Sequence, residues 1–141
     1  MQPITEFQGE FRFLSNFWPV EVEFEGDIYP SVEHAYQAAK TNDGIARQTI
    51  QRAVTAGQAK RLGRDVPMRQ DWDFIKVEVM TKLCIEKFHN RGIREKLLAT
   101  AGRELIEGNT WGDTFWGVCK GRGDNRLGKI LMAIRDWHMQ P

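Results

Sequence analysis

The sequence lacks any apolar run near the roughly 20 residues that a membrane-spanning helix needs. No membrane partner is expected. It is also poor in cysteine, with Cys84 and Cys119 alone and in no C-x-x-C pattern. That excludes a disulfide scaffold and, with no leader pattern at the start, points to a reducing cytoplasm. Neither sign of charge dominates: twenty Lys and Arg against nineteen Asp and Glu leave +1. No global field therefore nominates nucleic acid or an anionic surface, and any anion site must be local.

Several familiar chemistries are missing too. His34, His89 and His138 are scattered without H-E-x-x-H spacing, so no metal site is expected. There is no G-x-S-x-G elbow, and Cys84 falls on the apolar face of a predicted helix, where a thiol is packing material. Gly121-Arg122-Gly123 lacks the third glycine of a dinucleotide fingerprint. Gly123 to Lys129 has the spacing of a phosphate loop, but Ile130 follows where magnesium needs Ser or Thr, and no buried strand precedes it. Neither a repeat nor a low-complexity linker is present.

What is there is an ordinary globular composition, 141 residues with 41% hydrophobic and 28% charged, which reads as one domain over residues 1–141. Val20 to Phe24, a Glu25-Gly26-Asp27 turn and Ile28-Tyr29 predict an antiparallel hairpin. Helices are predicted over 32–41 with Ser31 as cap, over 44–56 with Ile45, Thr49, Ile50 and Ala53 on one face, and over 57–63. The longest runs over 72–90, with Phe74, Val77, Met80 or Thr81, Cys84 and Phe88 as its core face. A short helix over 93–101 and a C-terminal one with Leu127, Ile130, Leu131, Ile134 and Trp137 inward complete a mainly α (α+β) fold. Six of the 13 glycines lie between Gly108 and Gly128, interleaved with Trp111, Phe115 and Trp116. A long loop of that kind inside a compact domain points to function, and its aromatics argue against disorder.

The first helix places Glu33, Gln37 and Lys40 at i, i+4 and i+7 on one face, flanked by Tyr36. Lys40 then lies roughly 10 Å along the axis from Glu33, a span that lets a carboxylate and an ammonium straddle a sugar phosphate. The same spacing equally describes a solvated face with its carboxylate at the positive end of the helix dipole. Spacing alone does not choose.

Phe13-Leu14-Ser15-Asn16-Phe17, Tyr29 to Lys40, Trp116-Gly117 and Asn125 to Met132 resemble the NADAR family, also called YbiA-like proteins. Ala59 to Arg64 and Gln70-Asp71-Trp72 extend the match over nearly the whole chain. The resemblance implies a YbiA-like, mostly helical domain that hydrolyses a C–N glycosidic bond with no metal and no cofactor. Family members are associated with phosphoribosylamino-pyrimidine intermediates of riboflavin biosynthesis, others with ADP-ribose on guanine in nucleic acid. It makes Glu33 the catalytic carboxylate, Trp72 and Trp116 the motif aromatics, and Asn16, Phe17, Lys40 and Asn125 pocket residues. Some members carry an acid directly after the Trp-Gly pair, where this chain has Val118; Asp113 stands in as candidate leaving-group acid.

Those residue types suit the reaction. Cleaving a ribosyl C–N bond develops oxocarbenium charge at C1', which a carboxylate on the sugar face stabilises while taking a proton from the attacking water. Phe17, Trp72 and Trp116 are candidates to stack on the flat leaving group, with core packing the other reading for the two tryptophans. Lys40, Lys60 and Arg64 offer point charges to phosphate, and the loop from Gly117 to Gly128 offers backbone N–H groups at a helix start. Asn16 and Asn125 suit either ribose hydroxyls or turn and cap duty. The expected substrate is a small ribosyl N-glycoside, or an ADP-ribosyl group, including one on nucleic acid flanked by Arg61, Arg64, Arg122 and Arg126. The competing reading is a non-catalytic ADP-ribose or nucleotide binder. A plain nucleic-acid binder is disfavoured by the near-zero net charge.

Overall fold

A computed structural model describes all 141 residues. It is mainly helical with a small antiparallel hairpin, and the chain gathers into two compact units, Asn16–His89 and Met1–Ser15 with Asn90–Pro141. No helix is long and apolar enough to cross a membrane.

In the unit Asn16–His89, β1 (Val22–Phe24) and β2 (Asp27–Tyr29) pair antiparallel with Phe24 opposite Asp27. The two central turn residues, Glu25 and Gly26, have φ of 49° and 88°. That is the primed two-residue turn whose twist matches the strands. Next come α1 (Val32–Ala39), α2 (Gly44–Gln51), α3 (Ala56–Leu62) and α4 (Trp72–Lys87). Each of the first three starts on a side-chain cap: Ser31 accepts from His34 N–H, Asp43 from Ile45 and Ala46, and Thr55 from Gln58. Such caps satisfy backbone donors that a helix start leaves open. α1 packs against α2, α3, α4 and the hairpin, and all eight of its residues are buried.

In the other unit a 3-10 helix (Gly9–Leu14) precedes α5 (Arg91–Leu98), β3 (Gly108–Asn109), β4 (Val118–Cys119) and α6 (Arg126–Met139). β3 and β4 pair parallel, Gly108 opposite Val118. That pairing, inside the glycine-rich loop, had no alternating pattern by which the sequence would announce it. The Arg135 guanidinium, buried on α6, donates to the carbonyls of Thr100 and Arg103 through Nη1 at 2.9 and 2.8 Å.

Three of the predicted faces are corrected. α2 stops at Gln51, not 56, and of its predicted face Ile50 and Ala53 are buried while Ile45 and Thr49 are exposed. On α4 the buried residues are Trp72, Val79, Met80, Leu83, Cys84 and Lys87, and Phe74 is 93% exposed. The helix carries apolar residues on several sides, so periodicity admits more than one register, and packing against α1 and β1 selects it. Lys87 is fully buried there, and desolvation lowers its pKa to about 8. On α6, Leu127, Leu131 and Ile134 are buried, but Trp137 in the last turn is 70% exposed.

Candidate functional site

Helix α1 brings its predicted face together underneath the surface rather than on it. Glu33 is 8% and Gln37 4% exposed, so the solvated-face reading does not hold. The Gln37 side-chain Nε2 donates to Glu33 Oε2 at 3.1 Å, the i, i+4 contact expected of one helix face. Glu33 sits in the first turn, where the helix dipole favours a negative charge. Its backbone N–H donates to the Asn16 carbonyl at 3.1 Å, which ties the Asn16-Phe17 segment to the carboxylate's own residue.

Lys40 closes α1. Burial holds its ammonium below the ordinary lysine value, the Glu33 carboxylate pulls it up, and Lys60, Lys76 and Arg64 push it down again. A carboxylate and cations from α1, α3, the exit of α3 and α4 therefore act on one another in this unit. Lys76 was missed in the sequence, where it reads as one solvated lysine of a long helix; it is half-buried and pairs with Asp73 at 3.2 Å. The aromatics are organised around the same cations. Lys40 Nζ lies 5.8 Å from the Tyr36 ring centroid, Tyr36 meets Trp72 at 5.1 Å with a 57° tilt, and Lys60 Nζ lies 5.9 Å from the Phe17 centroid. Trp72 is 4% exposed and Tyr36 7%, so this ring pair is buried together. The Asn16 amide donates weakly to Met80 Sδ at 3.5 Å, and its Oδ1 is buried without a partner.

His34, next to Glu33 in sequence, is occupied elsewhere. Its Nε2 is 3.0 Å from the Ala53 carbonyl, which can only accept, so Nε2 carries the proton and Nδ1 accepts from the Ser31 hydroxyl at 2.7 Å. Burial lowers the imidazole's pKa from 6.5, partly opposed by the Ala53 carbonyl.

In the second unit, the loop residues nominated by the sequence hold the loop in shape. Asp113 Oδ1 accepts the backbone N–H groups of Phe115 and Trp116 at 3.0 and 2.9 Å, while Asn109 brackets the same turn through its side chain. Asn125, in a left-handed conformation with φ 51°, accepts from Glu107 N–H and donates to the Leu105 carbonyl. Gly117 is needed for space, since a Cβ there would strike the Glu107 carbonyl. Trp116, half-buried, stands edge-on to Phe115 at 4.8 Å, and the Arg126 guanidinium lies 4.3 Å over the Phe115 ring.

The expected phosphate cradle of open N–H groups before α6 is corrected. The N–H groups of Asp124, Asn125, Arg126 and Leu127 donate to the carbonyls of Thr114, Gly117, Phe115 and Trp116. The loop caps the helix, and those donors are taken.

The chain matches the NADAR domain family over residues 5–137. It is similar to the N-glycosidase YbiA of Escherichia coli K12, 41% identical over 133 residues that cover 90% of this chain and 81% of that protein. A riboflavin biosynthesis protein of Vibrio vulnificus is 43% identical over 141 residues, covering 96% of this chain; the chain spans only 38% of that longer protein. The NMR structure of E. coli YbiA matches with a TM-score of 0.83 and 34% identity, over 98% of this chain and 83% of that one.

Proposed function

The chain belongs to the NADAR domain family, and from that premise we propose that it is an N-glycosidase, with residues 1–141 as one functional domain. The substrate is a ribosyl N-glycoside bearing phosphate, of the phosphoribosylamino-pyrimidine type or with ADP-ribose attached to guanine. One observation carries the reading: a carboxylate at a helix start, 8% exposed, held by Gln37 and sharing its helix with the half-buried cation Lys40. A site that only binds phosphate gains nothing from a carboxylate among its cations.

The reaction follows from those groups. Water adds its hydroxyl to C1', Glu33 takes the water's proton, and the C1'–N electron pair leaves with the nitrogen, which takes a proton from solvent water while Glu33 returns its own to solvent. The Glu33 charge stabilises the oxocarbenium character of the sugar as the bond opens. Lys40 and Lys60 hold the phosphate, and Lys76 adds to their field. Asn16 Oδ1, buried and unpartnered, offers an acceptor to a ribose hydroxyl. Phe17 supplies a half-buried ring face for the base. Asp113 and Asn125 brace their loop, and Trp116 remains its candidate stacking residue. These steps need only side chains and water.

The test incubates the protein and Glu33→Gln with a phosphoribosylamino-pyrimidine and, separately, with ADP-ribosylated guanosine, following released ribose 5-phosphate or ADP-ribose by mass spectrometry. Release by the parent alone supports the glycosidase and names its substrate. Tight ADP-ribose binding without release from either protein would replace it with the binding-module reading.

A further inference from the structure

Gly63 closes α3 with φ −64°, an ordinary helical angle that any residue adopts. Its lack of a side chain is therefore about space, and the space belongs to one neighbour. A Cβ on Gly63 would run into the Gln37 side chain at Oε1 and Cδ. Gln37 itself has little freedom to yield: it is 4% exposed, and its Nε2 is committed to Glu33 Oε2. Its Oε1 is buried with no hydrogen-bond partner. A buried unpaired amide oxygen is costly, and turning the amide over would set that oxygen against a carboxylate oxygen instead. The side chain thus accepts one unsatisfied atom in order to point an N–H at Glu33.

We propose that Gln37 is a positioning residue that keeps the Glu33 carboxylate ionised and in one orientation, and that Gly63 is the gap in α3 that allows it to do so. The inference rests on the reading of Glu33 as the catalytic base. A hydrogen bond donated to the charged form favours that form, and fixing one oxygen fixes the orientation of the carboxylate. Of the charges in this unit, Lys40 on α1 feels Glu33 together with Lys60 and Arg64 at α3 and its exit and Lys76 on α4. None of them is altered by the variants below, so a shift reads Gln37 alone.

Gln37→Met keeps the length of the side chain and removes the donor. In the parent, Gln37→Met and Gly63→Ala, the test measures kcat and KM against pH and the titration midpoint of Glu33 by NMR of carboxyl-labelled glutamate. The expected result is a fall in kcat of roughly 10- to 100-fold with KM little changed. The acid limb and the Glu33 midpoint both move to higher pH, and Gly63→Ala moves them the same way. In a Gln37→Ala background, Gly63→Ala should add little, because the amide it displaces is gone and only the Cβ of residue 37, 3.0 Å away, remains in its path. An unchanged midpoint and acid limb in folded Gln37→Met overturn the proposal; should that variant not fold, Gly63→Ala decides by the same readings. If the parent releases no sugar phosphate, the glycosidase reading fails, while the Glu33 midpoints still decide what Gln37 does.

Discussion

Helix α1 and the glycine-rich loop before α6 both carry polar residues that the sequence nominates for chemistry, and the fold uses them in opposite ways. On α1, Glu33, Gln37 and Lys40 lie within one packed unit, with Asn16 Oδ1 and Gln37 Oε1 buried and unpartnered and the Lys40 ammonium held below its usual range. In the loop, Asp113 takes two backbone N–H groups and Asn125 bridges Glu107 and Leu105. A native structure normally satisfies its buried polar groups, so on the proposed reading the two unpartnered oxygens on the α1 side are where a substrate's own groups belong; Arg126 Nε, at the start of α6, is a further buried atom without a partner. Asp113 and Asn125 spend their hydrogen bonds on backbone groups of their loop, so each has a part in its shape. Likeness of motif does not show this; the destination of each hydrogen bond does.

The sharpest way to break the contrast is Glu33→Gln, which should lower turnover by roughly 10²- to 10⁴-fold while ligand affinity and melting temperature stay near those of the parent. Comparable turnover in that variant would remove α1 from the chemistry. On the loop side, Asn125→Ala should cost about 1–3 kcal/mol in urea unfolding, since it strands a buried carbonyl and an N–H, and Asp113→Ala about 1–2 kcal/mol. Neither should change KM, since lost folded protein lowers only the apparent kcat; a large KM effect would return those residues to the substrate. Lys40→Ala should raise KM for a phosphorylated substrate roughly tenfold with a smaller change in kcat, and less so at high salt. An unphosphorylated analogue is the control, and equal effects on both would detach Lys40 from phosphate.

The smallest effect comes from His34, whose neutral ring braces the start of α1 through Ser31 and Ala53. Its folded-state pKa lies below 6.5, so on acidification the unfolded chain takes the proton first. The contribution is therefore complete above about pH 6.5 and declines below it. The melting temperature should be flat between about pH 6.5 and the onset of the Lys87 titration near 8, and lower on the acid side. His34→Gln should flatten that part of the curve, and an unchanged slope would mean that other groups produce it.

Legibility differed with the kind of information each feature required. The hairpin follows from Glu25-Gly26-Asp27 between two apolar–polar runs, although Asp27 pairs with Phe24 in β2 and leaves a two-residue turn, and the α1 start follows from Ser31 ahead of good helix formers; both signals are local. The outward Phe74 and the buried Lys87 on α4 were not legible, because that helix is apolar on more than one side and its partners choose the face. The β3–β4 pairing and the closed-off donors before α6 depend on carbonyls about ten residues away in a loop without a period.

By itself, the sequence determined the elements: caps, turn residues and helical spacing act within a few residues of each other, and i, i+4, i+7 necessarily puts Glu33, Gln37 and Lys40 on one side of α1. Only the tertiary structure decided that this side is enclosed. Burial is a property of what packs against a face, here α2, α3, α4 and the hairpin around α1, with a glycine closing α3 where Gln37 must pass. The same three residues in water would be an ordinary amphipathic surface; enclosed, they become a carboxylate with a fixed donor and a lysine whose charge is costly to keep.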